Sequence, residues 1–288
     1  MVTQPPAGPR RILPAAVEIV VPARNEEHRL PDGLRVLCAK AAMLPLRTAV
    51  LVVDSASTDR TADVVRNWPA GPVPVRLINC DRPGKGRAVQ TGLLATQAPF
   101  VGFCDADMAT GLGALEVTLS LLHAGHLMVV ASRALDGSVT DERHSQTRRL
   151  GAAAFRALAR QVVPGATDTQ CGFKFFAGPL ARAAALRLTT QGFAFDIELI
   201  ALCQRLGATL TEVPVCWRDT PGSTFSVPRH SAAALRDVAA IWLSCRPGRA
   251  GATRVLALEP AGSPLALPAA AHALPGTGQA LPAGVTTA

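Results

Sequence analysis

Between residues 16 and 132, short β-branched runs alternate with amphipathic stretches, and this alternation constrains the fold more than any other feature of the chain. The pattern predicts strands at 17–22, 49–54, 74–79, 99–104 and 127–132, and helices over 26–42, 58–67, 85–97 and 112–124. Ser57 and Thr58 suit the start of the second helix as caps. Parallel strands need a long crossover to return the chain to the same end of the sheet, so such a succession gives an α/β fold, a mainly parallel sheet flanked by helices. Ligands in open sheets of this kind sit beyond the carboxyl ends of the strands. Pro22 to Glu26, Asp54 and Asp105 to Asp107 all fall at such ends, and three loops converge there.

The apolar run Phe100 to Cys104 stops abruptly at two carboxylates spaced i, i+2, Asp105 and Asp107. Neighbouring anions repel unless one is protonated or a divalent ion lies between them, and oxygen ligands suit Mg²⁺ or Mn²⁺, which keep positions open for phosphate oxygens. Taken alone, the triplet also fits a polar loop after a strand. The segment Arg82-Pro-Gly-Lys-Gly-Arg87 opens a helix, so backbone amides, the helix N-terminus and Lys85 could face a phosphate. It lacks P-loop spacing, and a tight turn explains it as well. Glu26 and Asp54 are placed to accept hydrogen bonds from a base or a ribose, or to cap a helix.

Beyond Arg133 the alternation lapses. A polar, arginine-bearing connection over 134–149 leads to a helix near 150–162, an extended segment at 168–176, and helices near 179–187 and 195–206. A strand is expected over 209–217, then an amphipathic helix over 231–245 with Leu235, Val238, Ile241 and Trp242 on one core-facing side. Residues 1–15 form a disordered lead-in and 246–288 a disordered tail, leaving one domain over 16–245. A net charge of +8, almost all of it arginine, favours polyanionic partners such as phosphates or an anionic membrane surface. Nucleic acid fits poorly, since aromatics make up 4% and tyrosine is absent. The longest apolar stretches fall well short of the roughly 20 residues that span a bilayer. Seven cysteines, an odd number without a C-x-x-C pair, point to buried thiols in a reducing cytosol. The histidines show no metal-ligand spacing, and Phe173, Phe175 and Phe176 read as core.

The segments IVVPARNEEHRL (19–30), VVDSASTDRT (52–61), RPGKGRAVQTG (82–92) and FCDAD (103–107) stand in an order similar to that of the family 2 glycosyltransferases. Further on, ASR (131–133), DTQCGFKFF (168–176), GFAFDIEL (192–199) and EVPVCW (212–217) resemble the dolichyl-phosphate glucosyltransferase branch more closely than its mannosyl relatives. The resemblance covers roughly residues 16 to 245. It implies a GT-A fold, Rossmann-like, with a nucleotide-sugar half over 16–132 and a C-terminal acceptor-side extension over 133–245. It also implies inverting, metal-dependent transfer of a hexose, with UDP-glucose the favoured donor, to a polyprenyl or dolichyl phosphate. Pro22, Ala23, Arg24, Glu26 and Asp54 would then hold the nucleoside and Lys85 the diphosphate. Asp105 and Asp107 would hold Mg²⁺ or Mn²⁺, with Ala106 between them in the donor site. Arg133, Arg143 and Arg148 match acceptor-side basic positions, Arg148 counting also among the cofactor-binding residues. Arg133 and Asp196 join the two metal carboxylates as catalytic positions, while Gln170, Lys174 and Glu198 fall in motifs of the second half. Three departures stand out: Arg24 replaces the usual tyrosine, Ser55-Ala56 replaces Asp-Gly, and Thr224 replaces a lysine.

The acceptor decides what the site must contain. A phosphate monoester, with a second pKa near ~6, is largely a dianion at neutral pH and needs no general base. A hydroxyl must lose its proton to a nearby carboxylate or histidine, for which Asp168 and Asp196 are the candidates. The leading expectation is a cytoplasmic enzyme, peripheral on the inner face of the membrane through its basic surface and last helix. The alternatives are a soluble glycosyltransferase acting on a small-molecule hydroxyl, or a nucleotide-sugar-binding protein without turnover.

Overall fold

The computed structural model describes residues 15–141, 157–218 and 236–244. Arg143, Arg148, Thr224, Leu235 and Cys245, and the predicted lead-in before residue 15 and tail after 245, lie outside the described residues. Strands β1 (Val17–Ala23), β2 (Thr48–Ser55), β3 (Val75–Cys80), β4 (Phe100–Cys104) and β5 (Met128–Ser132) agree with the sequence pattern to within about a residue at each end. They alternate with α1 (Leu30–Ala42), α2 (Thr61–Arg66), α3 (Lys85–Ala95) and α4 (Leu115–His123), the last entered through a 3₁₀ turn at Leu112–Ala114. The second half adds β6 (Val139–Asp141), α5 (described over 157–162), β7 (Phe173–Ala177), α6 (Gly178–Ala185), α7 (Phe195–Arg205), β8 (Leu210–Pro214), β9 (Cys216–Arg218) and α8 (236–244).

The large sheet has the order β3-β2-β1-β4-β7-β5-β8. Its pairs are parallel except where β7 runs antiparallel between β4 and β5. Interior strands of such a sheet are covered on both faces, which is why β1, β2, β4 and β5 read as largely apolar runs, with Glu18 the one acid inside β1. One face packs Val20, Val53, Val101, Phe103 and Phe176 beneath α3, α5, α6, α7 and α8. The other packs Ile19, Val21, Val52, Phe173 and Phe175 beneath α1, α2 and α4. The chain leaves β1 toward β2 on one side and reaches β4 on the other, so a crevice opens at the carboxyl ends of β1 and β4.

Several local expectations change. The helix predicted from residue 26 begins at Leu30, because Glu26 first closes a turn whose carbonyl accepts from the N–H groups of Arg29 and Leu30. Ser57 and Thr58 do not cap α2. Ser57 Oγ accepts from Asn25 N and Thr58 N donates to Asn25 Oδ1, at 3.0 and 2.9 Å, so both tie the second loop to the first. The extended segment at 168–176 joins the sheet only from Phe173. The strand expected over 209–217 is two: β8 joins the large sheet, and after Pro214, which has no N–H to donate, β9 pairs with β6 in a small parallel sheet. On α8, Val238 and Ile241 are buried as expected, but Trp242 is 37% exposed. Cys216 is exposed, whereas Cys80, Cys104, Cys171 and Cys203 are buried free thiols.

Gly102 in β4 lies opposite Phe175 of β7, and a Cβ there would stand 2.3 Å from the phenyl ring. Gly102→Ala is expected to overpack the sheet centre and to cost about 1–3 kcal/mol, read as a lower urea midpoint at unchanged slope.

Candidate active site

The crevice is built from the first loops after β1, β2 and β4. Ala23 and Asp54 are register partners at the ends of β1 and β2, so the predicted nucleoside residues Pro22, Ala23 and Asp54 come together, with Arg24 exposed just beyond. Three non-glycine residues have left-handed backbone among those described: Asn25 (φ 55°), Ala56 (φ 52°) and Met108 (φ 48°). One follows each of the three strands. Such conformations cost of order 1–3 kcal/mol each and persist where surrounding bonds over-determine them. Here Asp54 Oδ1 accepts from Ser57 N (3.3 Å), Met108 N donates to Asp105 O (3.1 Å), and Asp107 Oδ1 accepts from Ala109 N (3.1 Å).

Ser55 has a task of its own. Its Oγ accepts from Gly84 N (3.1 Å) and lies 3.3 Å from Arg82 O, anchoring the glycine-rich segment to β2. Gly86 N donates to Gln191 O. The backbone cradle expected from 82–87 therefore has its Gly84 and Gly86 amides taken up inside the protein. What the segment sends into the crevice is Lys85, whose ammonium lies 2.7 Å from Asp105 Oδ1. Burial pushes that ammonium down, but Asp105, Asp196 and Asp107 outweigh it and hold its pKa above the ordinary lysine value.

Charges of alternating sign line up from this point. Glu26 is gripped by Arg29 in a two-pronged pair of 2.7 and 2.6 Å, and Arg29 Nη1 reaches to 4.0 Å from Asp107 Oδ2. Lys85 follows Asp105, and beyond it Lys174 Nζ lies 2.5 Å from Asp196 Oδ1. The alternation breaks only where Asp105 and Asp107 stand side by side. Burial, and behind it the charge of Asp105, pushes the Asp107 carboxyl up; burial likewise raises Glu26 despite Arg29. Asp105 Oδ1 is buried against the Lys85 ammonium at 2.7 Å, and Arg29 Nη1 has no hydrogen-bond partner. Two adjacent carboxylates that share only one ammonium at 2.7 Å and a guanidinium at 4.0 Å fit a hard divalent cation that takes its other ligands from phosphate and water. Among the described residues, no group of three or more His, Cys, Asp or Glu is placed as a closed metal site.

The second half of the chain supplies the wall. Asp105 N donates to Gly172 O (3.1 Å), and a Cβ at Gly172 would fall 1.9 Å from Asp105 Oδ2. Opposite, a Cβ at Gly33 of α1 would fall 2.2 Å from Ala106 O, so only glycine allows α1 to seat the acidic loop. Asp168 accepts from Arg133 Nε (2.7 Å), Nη2 (3.1 Å) and N (3.1 Å), and Arg133 lies over Trp217 at 5.7 Å. Burial would raise Asp168, but Arg133 outweighs it and holds the carboxyl below its usual range. Glu198, buried, accepts from Thr189 and Thr190, and the half-buried Glu212 from Thr167 and Asp168 N, so both act as staples for loops. Gln170 Nε2 is buried without a partner on the same segment. Asp196, placed with the catalytic residues by sequence, is 2% exposed and engaged by Lys174. Sequence reading overlooked Arg29 and Gly172. The i, i+3 spacing from Glu26 was a signal for the first; nothing local marks the second.

Residues 18–178 match the family model described as Glycosyl transferase family 2. The chain is 33% identical over 242 residues to the dolichyl-phosphate beta-glucosyltransferase of Drosophila melanogaster, covering 79% of this chain and 74% of that one. It is 29% identical over 241 residues to the protein of the same name from Dictyostelium discoideum, covering 78% and 73%. Among solved structures, it is similar to glucosyl-3-phosphoglycerate synthase from Mycobacterium tuberculosis in complex with Mn²⁺, UDP and glucosyl-3-phosphoglycerate. That match has a TM-score of 0.56 and 21% identity, and covers 80% of each chain. The fold is GT-A, as the motifs implied.

Two outcomes follow from the geometry. Gly172→Ala should displace the Asp105 carboxylate by an ångström or more and lower turnover by about 100-fold, with the far-UV spectrum retained. Asp168, depressed in the native state, stabilises the protein above its unfolded pKa of about 4, and that contribution is lost as pH falls through the lower native value. The urea-midpoint gap between wild type and Asp168→Asn should therefore be widest above about pH 5 and narrow toward about pH 2.

Proposed function

The chain belongs to glycosyl transferase family 2, and on that premise we propose that it transfers glucose from UDP-glucose to a polyprenyl phosphate of the dolichyl type, with inversion at the anomeric carbon. The observation that carries the choice of acceptor is the state of Asp168 and Asp196. These are the two carboxylates that could take a proton from a hydroxyl acceptor, yet Asp168 is held by Arg133 and Asp196 by Lys174, and both are buried. A phosphate dianion needs neither.

In this reading a phosphate oxygen attacks the anomeric carbon from the face opposite the leaving group. The bond from that carbon to the diphosphate oxygen breaks, and its electron pair departs with UDP. Pro22, Ala23, Arg24, Glu26 and Asp54 border the nucleoside, with Ala106 in the acidic loop. Lys85 stands where negative charge grows on the departing diphosphate. Asp105 and Asp107 would hold Mg²⁺ or Mn²⁺, which supplies Lewis-acid relief of that same charge. Arg133 flanks the acceptor side; Arg148, assigned with it by resemblance, lies outside the described residues. No described helix is long and apolar enough to cross a membrane. The net charge of +8 and the exposed Trp242 and Leu243 on α8 support peripheral contact with an anionic membrane surface at its cytosolic face.

Labelled nucleotide sugars offered with polyprenyl phosphate test this directly. UDP-glucose should give a lipid-linked product with β configuration by NMR, and EDTA should lower the rate by about 100-fold or more. Transfer to a small-molecule hydroxyl instead, or tight UDP binding without turnover on any donor, would refute it.

A further inference from the structure

Lys174 occupies a position where chemistry, not packing, has to explain a lysine. It sits on the central antiparallel strand β7 among Phe173, Phe175 and Phe176, is fully buried, and lies 5.3 Å above the Phe103 ring. An unpaired ammonium in such surroundings is strongly unfavourable. Its Nζ donates to Asp196 Oδ1 at 2.5 Å and to Cys171 O at 2.6 Å. Asp196, at the start of α7, is itself buried and feels the charge of Lys85 as well as that of Lys174. Lys85 in turn feels both Asp105 and Asp196. The starts of α3 and α7 are packed so closely that a Cβ at Gly86 would lie 2.6 Å from Phe195 Cβ.

We propose that Lys174 is a positioning residue for the donor site: by neutralising Asp196 it leaves the Lys85 ammonium to Asp105 and the diphosphate. The inference rests on the donor-site reading above and adds a residue that never touches the donor. Without the charge on Lys174, the buried Asp196 carboxylate is left with the attraction of Lys85 and draws that ammonium out of the crevice. Asp105 then loses its counter-charge and the diphosphate its ammonium. A second link runs through the backbone, since the Cys171 carbonyl held by Lys174 precedes Gly172, whose own carbonyl accepts from Asp105 N. One ammonium thus steadies both the charge behind Asp105 and the wall beside it.

The test is calorimetry of UDP binding with saturating Mn²⁺, and in EDTA, on the full chain. Lys174→Gln keeps a donor and most of the volume while removing the charge. It should weaken UDP binding in Mn²⁺ by about tenfold or more, and Lys174→Gln/Asp196→Asn, which also removes the pull on Lys85, should return to within about threefold of wild type. A pair that serves only the fold would lower the melting temperature and leave UDP affinity unmoved. Wild-type affinity in Lys174→Gln, or a double variant as weak as the single, overturns the inference. Should the single variant melt below the assay temperature, the titration is repeated at a temperature where it is folded and the same outcomes decide, and a double variant about tenfold weaker than wild type overturns the inference in either case. Wild-type protein that binds no UDP with Mn²⁺ would overturn the donor-site reading and this inference with it.

Discussion

Adjacent like charges at Asp105 and Asp107 are the constraint around which the rest of this protein is arranged. Arg29 and Lys85 approach them from either side; Arg29 is itself balanced by Glu26, and Asp196 behind Lys85 is balanced by Lys174. Such a row is stable only while every member keeps its neighbours, because an unpaired charge in a partly buried crevice is costly. The single interruption in sign is where positive charge is wanted. An apolar sheet end could not hold two carboxylates together without the cations that α1 and α3 bring to it.

Precision in that row comes from backbone held by buried and half-buried side chains. Glu18 accepts from Gln97 N, Ala98 N and Arg76 beneath β4, while Glu198 and Glu212 hold the loops at 189–190 and 167–168. Each carboxylate satisfies N–H groups that a loop would otherwise bury unpaired. Ser55, where the resemblance led one to expect an acid, does similar work by fixing the segment that carries Lys85. A site assembled this way has no room for a side chain at the glycine behind it, since a Cβ at Gly172 would fall 1.9 Å from the Asp105 carboxylate.

Much of this was legible along the chain. Runs of apolar residues located the first five strands: β1, β2, β4 and β5 because a strand buried on both faces must be largely apolar, and β3, at the sheet edge, from a run that is only partly covered. The convergence of Glu26, Asp54, Lys85, Asp105 and Asp107 followed from their places after consecutive strands. Capping by Ser57 and Thr58 failed as an expectation because both are drawn across the crevice to Asn25, a contact between residues more than thirty positions apart. The break of the 209–217 strand at Pro214 carried a local signal in the missing N–H, while the destination of β9 did not.

The amino-acid order by itself determined the layered sheet, the crevice at its carboxyl edge and the acidic pair within it, since these depend on periodicity and on residue chemistry at strand ends. Only the tertiary structure decided which charges meet. Asp196 pairs with Lys174 and Asp168 with Arg133 because β7 enters the sheet antiparallel between β4 and β5, bringing the second half of the chain against the first. Pairing of that kind depends on distance in space, and a strand that reverses direction between parallel neighbours sets those distances without leaving a trace in the spacing of the residues it joins.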